Sequence, residues 1–218
     1  MSVVAQGFGS TFISQLLGIP LSRLHYWDKT GVVKPSIRPA RGRGSRRLYS
    51  YEDLVALEVV LQLRESGLPL QRVRRAVRFL RQHHPELEHP LAELTFLTDG
   101  ESIFMITPDK GQVLDVLSQH FVLSVPLGRI ARRVQQQIEE ATRARVETVH
   151  VGGRTFTVRI ERDPETDWYI AVCEEIPGCA TQGSTLEEAR EMVRDAIAES
   201  LVALAEAPRH AKAKTLAR

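Results

Sequence analysis

The stretch RPARGRGSRRLY, residues 38–49, constrains the fold of this chain more than any other segment. It places five arginines within ten positions, together with two glycines and one proline, and it contains no acidic residue. Composition alone leaves two interpretations open: a disordered basic linker, or a structured finger that touches a negatively charged partner.

The segments before and after this stretch predict what it connects. FISQLLG, which ends at Gly18, and LSRLHYWDKTG, which follows Pro20 and stops at Gly31, are typical of two short helices joined by a tight turn. VVKPSI predicts a strand, which Pro35 confines to a sheet edge, and RRLYS predicts its return partner. The arginine-rich stretch is therefore expected to be the tip of a hairpin.

Two longer helices follow, and the charge of this region is strongly positive. Ser50 is expected to cap the first helix, and LPLQRVRRAVRFLRQHH predicts the second, which Pro85 ends. Residues 1–84 carry 14 Lys and Arg against 5 Asp and Glu, a net charge of +9, whereas residues 146–206 carry 5 against 13, a net charge of −8. The charges favour a polyanion as partner of the first region and a cation as partner of the last.

Residues 91–145 predict a small middle module. Asp99-Gly100 lies between two apolar stretches, which is a signal for a hairpin, and FVLSVP supplies a third strand. From Leu127 to about Arg145, apolar residues repeat at helical spacing over roughly two heptads. A dimer contact and simple core packing explain this repeat equally well.

The last folded region alternates apolar and polar residues. TFTVRIER and DWYIAVCE predict two strands of one sheet, and STLEEARE begins a capped helix whose apolar stripe covers it. The strand residues expected to face the core are Phe156, Val158, Ile160, Trp168, Ile170 and Val172. The helix residues expected to face it are Ala189, Val193, Ile197, Leu201 and Leu204.

Three motifs of the first region stand in a fixed order: GIPLSRLHYWD at 18–28, TGVVKPS at 30–36 and RLYSYEDL at 47–54. In this order and spacing they resemble the winged-helix DNA-binding domain of MerR-type regulators. The resemblance implies that the second short helix lies in the major groove and that the hairpin tip is a wing that reaches phosphates or the minor groove. The implied DNA contacts are Ser22, Arg23, His25, Tyr26, Arg38, Arg41, Arg43, Arg46, Arg47 and Tyr49.

The resemblance is uneven from residue to residue. Tyr26 and Tyr49 stand at the positions of the family's recognition-helix and wing tyrosines, which implies hydroxyls that contact phosphates. His25 stands where the family usually has arginine, which leaves the base preference open. Trp27 is expected to pack between helix and wing. The long dimerising helix and the metal or drug pocket that usually follow in MerR-type proteins are not visible in this sequence.

The signature DWYIAVCEEIPGCATQGSTLEEAREMVRDAIAESL, residues 167–201, follows the strand at 155–161 and resembles the HicB antitoxin fold. In that family the domain binds a small basic HicA-like toxin that cleaves RNA. Electrostatic complementarity of this kind would mainly speed encounter and reject wrong partners. The candidate contacts are Glu161, Asp163, Glu165, Glu174 and Glu175, for which an ordinary solvated surface is an equally good interpretation.

The sequence thus predicts a multi-domain α+β protein. Residues 1–84 are expected to form a winged helix-turn-helix domain, and residues 91–145 a connector of hairpin and helix that includes a candidate dimerisation helix. Residues 146–206 are expected to form a HicB-like sheet packed on one long helix, and residues 207–218 a flexible tail.

The expected function is that of a DNA-binding transcriptional regulator, a homodimer or higher oligomer on double-stranded DNA. Its C-terminal domain is expected to be the autoregulating antitoxin of a type II toxin–antitoxin system that neutralises a basic ribonuclease. Two alternatives stay open. One is a regulator without a toxin, whose C-terminal half serves oligomerisation or ligand sensing, and the other is a purely protein-binding antitoxin with a dispensable wing.

Other function classes find no support in the sequence. It contains no glycine-rich nucleotide loop and no Ser or Cys with a base in a recognisable motif, so no enzyme is expected. Cys173 and Cys179 lack companions for a zinc site and are expected in the core, and His83, His84 and His89 lack a ligand set, so no metal or cofactor is expected. No apolar run of eighteen residues and no secretory signal occur, which predicts a cytoplasmic protein without a membrane segment.

Overall fold

The computed structural model describes residues 7–42, 45–83, 85–93, 95–98, 103–106, 123–125 and 127–206. The chain divides into two compact units. The first contains the residues up to Ala141 together with Pro164–Thr166, and the second contains Thr142–Asp163 and the residues from Asp167 onward. Among the described residues, no helix combines the length and the apolar character that crossing a membrane requires.

The first unit is mostly helical. Its helices are α1 (Ser10–Leu17), α2 (Leu21–Lys29), α3 (Tyr51–Glu65), α4 (Leu70–His83), α5 (Pro90–Glu93) and α6 (Leu127–Thr142), whose last residue begins the second unit. Its strands are β1 (Phe8–Gly9), β2 (Leu48–Tyr49), β3 (Thr95–Thr98), β4 (Ile103–Ile106) and β5 (Leu123–Val125). The four predicted helices of the basic region are confirmed as α1 to α4.

The turn between α1 and α2 follows from its residues. Gly18 ends α1 in the left-handed conformation, with φ of 65°, and the backbone N–H of Ile19 returns to the carbonyl of Ser14 at 3.1 Å. Glycine has no Cβ to oppose this conformation, so it is the usual residue after a helix end. Pro20 then precedes α2, where its fixed φ suits a helix start. The two helices are therefore joined by a tight turn, as the sequence predicts.

The predicted strand at residues 32–37 is wrong. These residues form no ladder, and a single bridge joins Arg38 to Leu48 beyond them. β2 pairs instead with β1, which the sequence did not predict, in the register Phe8 with Tyr49 and Gly9 with Leu48. The segment leaves the sheet because Ser36 donates its backbone N–H and its hydroxyl to Asp53 at the start of α3 (2.8 and 2.7 Å).

Helix α6 packs into the core of the first unit. Ile130, Val134 and Ile138 are at most 1% exposed and belong to the same buried cluster as the apolar residues of α1 to α4. The Tyr51 hydroxyl donates to the carbonyl oxygen of Ala131 at 2.7 Å, which ties α6 to the first turn of α3. Of the two alternatives for this apolar repeat, core packing is the one that these residues display.

The predicted middle hairpin is present as a three-stranded antiparallel sheet in the order β4-β3-β5. Thr95 pairs with Ile106 and Thr98 with Ile103, and β5 pairs with β3 on its other side. The Asp99-Gly100 turn itself lies outside the described residues.

The second unit is a four-stranded antiparallel sheet with one long helix. Its elements are β6 (Arg145–Val151), β7 (Arg154–Arg162), β8 (Tyr169–Cys173), β9 (Ala180–Gly183) and α7 (Leu186–Glu206). The strands pair in chain order, β6-β7-β8-β9. β6 and β9 were not predicted, although Gly152-Gly153, with φ of 56° and 73°, is a strong hairpin signal.

The buried face of β8 is the opposite of the one predicted. Ala171 and Cys173 are at most 2% exposed, whereas Trp168 and Ile170 are 37% and 42% exposed. The register pairs Ala171 with the buried Ile160, and residues directly opposite each other in a ladder point to the same face. Because β8 has apolar residues on both faces, its alternation did not decide which face is inward.

Helix α7 covers the inner face of the sheet. Ala189, Val193 and Ile197 are fully buried against it, as predicted, whereas the predicted core residue Leu204 is 65% exposed. A Cβ atom at Gly183 would lie 2.5 Å from the backbone nitrogen of Ala189, so β9 approaches the helix only because this residue is glycine. Both cysteines are buried, as expected for small core residues.

Candidate nucleic-acid interface

The exposed face of α2 carries the side chains predicted to contact DNA. Leu24 and Trp27 are buried in the core, which turns the other side of the helix outward. On that side Ser22 and Arg23 are exposed, and Tyr26 is 50% exposed. Trp27, which was predicted to pack between helix and wing, is 2% exposed and belongs to the core cluster of the first unit.

We use the name wing segment for residues 32–49. Within it Arg38, Arg41 and Arg46 are exposed, as predicted for the tip, and Arg43 lies outside the described residues. The tip is folded locally, since the backbone N–H of Arg41 donates to the Ser45 hydroxyl (2.8 Å), which in turn donates to the carbonyl of Gly42 (2.9 Å). Gly42 has φ of 96°, a conformation that residues with a Cβ rarely adopt.

An ion pair joins the wing segment to α2. Arg47 Nε lies 2.7 Å from Asp28 Oδ2, and the two side chains are only 22% and 15% exposed. The predicted role of Arg47 was a DNA contact, but its guanidinium is engaged with the last turn of α2. Asp28 was not singled out in the sequence, because an acidic residue at a helix end has no local pattern that reveals a partner nineteen positions later.

A second polar junction holds the start of the wing segment. The Asp53 carboxylate, 3% exposed, accepts hydrogen bonds from the Ser36 backbone and hydroxyl and from the Ser50 backbone N–H (3.0 Å). Asp53 thus completes the predicted Ser50 cap of α3 as a capping box and fixes Ser36 as well. The cap was visible in the sequence, whereas the bond to Ser36 was not.

His25 lies on α2 and is half-buried. Partial burial lowers its pKa below the ordinary value, the nearby Arg47 lowers it further, and Asp28 opposes both effects. A lowered pKa keeps this imidazole neutral at pH 7, so it offers a hydrogen-bond donor and an acceptor rather than a fixed charge.

Tyr49, which was predicted to contact a phosphate, is buried in the first unit. Its side chain has no exposed area, and burial raises the pKa of its hydroxyl well above the usual range. The strand pairing of Tyr49 with Phe8 directs the ring into the core of the first unit. The structure brings Ser22, Arg23, Tyr26 and the wing arginines to the surface, but it does not bring Tyr49 there.

The acidic residues predicted to bind a partner differ in their surroundings. Glu175 accepts from the backbone N–H of Thr157 with both oxygens (2.8 and 2.9 Å), and these hydrogen bonds hold the pKa of Glu175 below its usual value. Glu161 forms an ion pair with Arg159 on the same strand. Glu174 is exposed beside Glu175. Glu175 therefore extends the strand pairing, a role that sequence reasoning missed.

The remaining two candidates lie at the connection between β7 and β8. The backbone N–H of Asp163 donates to the Trp168 carbonyl oxygen (2.8 Å). Glu165 belongs to the first unit, where its carboxylate lies 3.0 Å from Arg38 Nη2. The five acids are thus not brought together as one patch of unengaged carboxylates.

The part of the chain that the structure describes holds no group of three or more His, Cys, Asp or Glu side chains arranged to bind a metal ion. His89, expected at the surface, is 22% exposed, and its Nδ1 lies 3.5 Å from Asp53 Oδ1. His84 lies outside the described residues.

Residues 11–80 match the family described as MerR HTH family regulatory protein, so the N-terminal part of the chain carries a MerR-family helix-turn-helix domain. Proteins of Mycobacterium bovis and Mycobacterium tuberculosis that are named uncharacterized HTH-type transcriptional regulators are 38% identical over 111 residues, 51% of this chain and 48% of theirs. Nodulation protein NolA of Bradyrhizobium elkanii is 26% identical over 121 residues, 49% of this chain and 54% of NolA. The chain spans about half the length of these curated relatives.

Proposed function

We propose that this protein is a DNA-binding transcriptional regulator. In this proposal α2 lies in the major groove, and the arginines of the wing segment contact the adjacent sugar-phosphate surface. The match of residues 11–80 to the MerR family and the names of the mycobacterial relatives support it.

The observation that carries the proposal is the joint between α2 and the wing segment. The Arg47–Asp28 ion pair at 2.7 Å holds the base of the wing against the end of α2, and Val32 N–H donates to the Trp27 carbonyl at 2.9 Å. Two elements that must meet one duplex are thereby fixed to each other before binding. Pre-organisation of this kind lowers the entropy lost on association.

The side chains proposed to contact DNA divide by role. In the proposal Ser22, Arg23, His25 and Tyr26 of α2 meet base edges and phosphates, and Arg38, Arg41, Arg43 and Arg46 supply phosphate or minor-groove contacts. Because phosphate contacts release counterions, about eight of them give a slope near −7 in a plot of log affinity against log salt concentration. A homodimer, which reads two related half-sites, is part of the proposal.

The test is binding of the purified full chain to DNA from upstream of its own gene, measured by fluorescence anisotropy across a salt series. We expect a slope near −7 and a preference for that DNA over unrelated duplex of equal length. A slope near zero would remove the wing from the interface, and no preference at any salt concentration would remove the regulator role.

We propose further that the second unit is the antitoxin domain of a toxin–antitoxin pair. The support is its composition and architecture, a net charge of −8 over residues 146–206 on a four-stranded sheet covered by one helix. The partner would be a small basic ribonuclease. Of the five predicted contact acids, Glu174 is the most available, because Glu175 and Glu161 already have partners.

This second proposal is tested by co-expressing the chain with the product of the adjacent gene, where that gene encodes a small basic protein. A stable complex that suppresses RNA cleavage supports the antitoxin role. If the neighbouring protein cleaves RNA equally well with and without the chain, the antitoxin assignment fails while the regulator is unaffected.

A further inference from the structure

A cavity of about 170 Å³ lies within the first unit, and the proposed DNA contacts make no use of it. Residues 32–36, helices α3 and α4, and residues 88–91 form its walls. Since one water molecule occupies about 30 Å³ of liquid, this space suits a molecule of several heavy atoms. Its apolar wall consists of Val32, Val33, Ala56, Val77 and Leu91, each at most 5% exposed.

Arg81 brings unused hydrogen-bond donors to this cavity. Its Nη1 donates to the Gly31 carbonyl oxygen at 3.0 Å, and this is the one hydrogen bond it makes to a described residue. A guanidinium has five N–H donors, so four are left for other acceptors. Arg81 is an exposed residue; partial desolvation of its guanidinium lowers its pKa from the ordinary value, and the charge of Asp53 opposes this shift.

The acidic side chains of the cavity do not take up these donors. Asp53 is occupied by Ser36 and Ser50, as described above, and its second oxygen faces His89. Glu88 is exposed at the rim, where solvent screens its charge. Lys34 is also exposed at the rim and makes no ion pair to a residue in the described ranges. The cavity therefore places the guanidinium of Arg81 next to an aliphatic wall.

We propose that this cavity binds a small carboxylic acid with an apolar body, whose carboxylate pairs with Arg81 while its body lies against Val77, Ala56 and Leu91. A carboxylate accepts two parallel N–H bonds from a guanidinium, which gives the contact direction as well as strength. Inorganic phosphate or sulfate offers the charge but has no apolar part to replace water along the aliphatic wall.

This site goes beyond the proposed DNA contacts because it places a ligand on the start of the wing segment. Residues 32–36 form one wall, and Ser36 lies two positions before Arg38. A ligand bound there touches the segment that Asp53 holds in place. The site is thus suited to an effector that changes the wing, and binding itself is measured without DNA, so its failure is separate from failure of the proposed function.

The probe is benzoate, titrated into the full chain by isothermal calorimetry and by NMR of methyl groups. We expect a dissociation constant on the order of 1 mM, which is typical of so small a ligand, with shifts confined to methyls of the cavity wall. Arg81→Gln is expected to weaken binding about tenfold or more, since a charge-assisted pair is lost. Arg78→Gln, the same change on α4 outside the cavity wall, is expected to change it less than about twofold.

A second variant keeps the proposal testable if Arg81→Gln does not fold. Ala56→Met retains Arg81 and a good helix former while occupying part of the cavity, and it is expected to weaken benzoate about tenfold or more. Benzamide, which has the same body without the charge, is expected to bind at least about tenfold more weakly than benzoate. The proposal is overturned if benzamide or inorganic phosphate binds as tightly as benzoate, or if Ala56→Met binds benzoate as wild type does.

Discussion

The wing segment and the four-stranded sheet of the second unit are stabilised by different kinds of contact. β6 and β7 pair at seven positions and lie on a core that includes Val158 and Ile160. Among its described residues the wing segment has one internal backbone bridge, between Arg38 and Leu48, while Leu48 and Tyr49 pair with β1. The side chains of Asp28 and Asp53 hold Arg47 and Ser36. The sheet is stabilised by many equivalent contacts, whereas the wing depends on a few ion pairs and hydrogen bonds.

This difference follows from what each region presents to solvent. A core needs apolar residues at alternate positions, which the wing segment lacks between Arg38 and Arg47. Arg38, Arg41 and Arg46 are exposed, whereas Arg47 is largely covered in its ion pair with Asp28. A segment of this kind suits a partner that supplies the missing negative charge.

The largest expected effect comes from the sheet core. Ile160→Ala removes a side chain that is 2% exposed, and we expect the second unit to lose roughly 3.5 kcal/mol of unfolding free energy. The measurement is urea denaturation followed by Trp168 fluorescence in a Trp27→Phe background.

The matched control for this variant is Ile170→Ala, the same change at a residue that is 42% exposed on the adjacent strand. We expect a loss below about 1 kcal/mol. Equal losses for the two variants would contradict the corrected inward face of β8.

The next effect concerns the anchor of the wing segment. Asp53→Ala removes the carboxylate half of the capping box of α3 and leaves donors of Ser36 and Ser50 without their acceptor, so we expect a loss of about 2.5 kcal/mol from the first unit. Trp27 fluorescence in urea gives the value. The control is Glu52→Ala, one position earlier in the same helical turn, which is expected to lower the free energy of unfolding by less than about 0.5 kcal/mol. A similar loss of unfolding free energy for both variants would mean that Asp53 acts only through its charge at the helix end.

A smaller effect is expected at the joint of wing and α2. Arg47→Ala breaks the pair with Asp28, and a double-mutant cycle of the two residues is expected to give a coupling of about 1 kcal/mol in stability. Arg46→Ala, at the neighbouring exposed arginine, is expected to leave stability within about 0.5 kcal/mol of wild type. A coupling near zero would leave the wing without its proposed connection to α2.

The smallest effects separate the two tyrosines. Tyr26→Phe is expected to weaken DNA binding about fivefold, the loss of one hydrogen bond to a phosphate. Tyr49→Phe changes a hydroxyl with no exposed area and is expected to alter affinity less than about twofold. Anisotropy titrations at one salt concentration measure both, and a larger loss for Tyr49→Phe would show that binding rearranges β2.

The helices and the site's location follow from local patterns in the sequence, and the errors follow from longer-range contacts. Gly18, Pro20 and Ser50 set helix ends by backbone and capping preferences that act within a few residues. The strand wrongly predicted at 32–37 is prevented by Asp53, seventeen positions after Ser36, and no local pattern carries that information.

In the second unit, too, a contact distant in sequence decides what the local pattern leaves open. The inward face of β8 depends on its register with β7, and Trp168, Ile170 and Val172 were as apolar as the residues that are buried. β6 was missed for another reason, because the Gly152-Gly153 pair between alternating residues is a hairpin signal that was present in the sequence but was not used. Tyr49 is a core residue because β2 pairs with β1 and Tyr49 lies opposite Phe8. Both strands have only two residues, which is too short for an alternating pattern to be recognised in the sequence.

The central claim is that α2 and the wing segment bind one duplex together. The most direct measurement is the salt dependence of DNA affinity for Arg41→Ala/Arg43→Ala/Arg46→Ala, compared with Arg145→Ala/Arg154→Ala/Arg194→Ala, three arginines of the second unit that are exposed. We expect the wing triple to reduce the slope from about −7 to about −4.5, since each lost phosphate contact removes about 0.9, and the control triple to leave it unchanged. Equal slopes for wild type and the wing triple would contradict the claim.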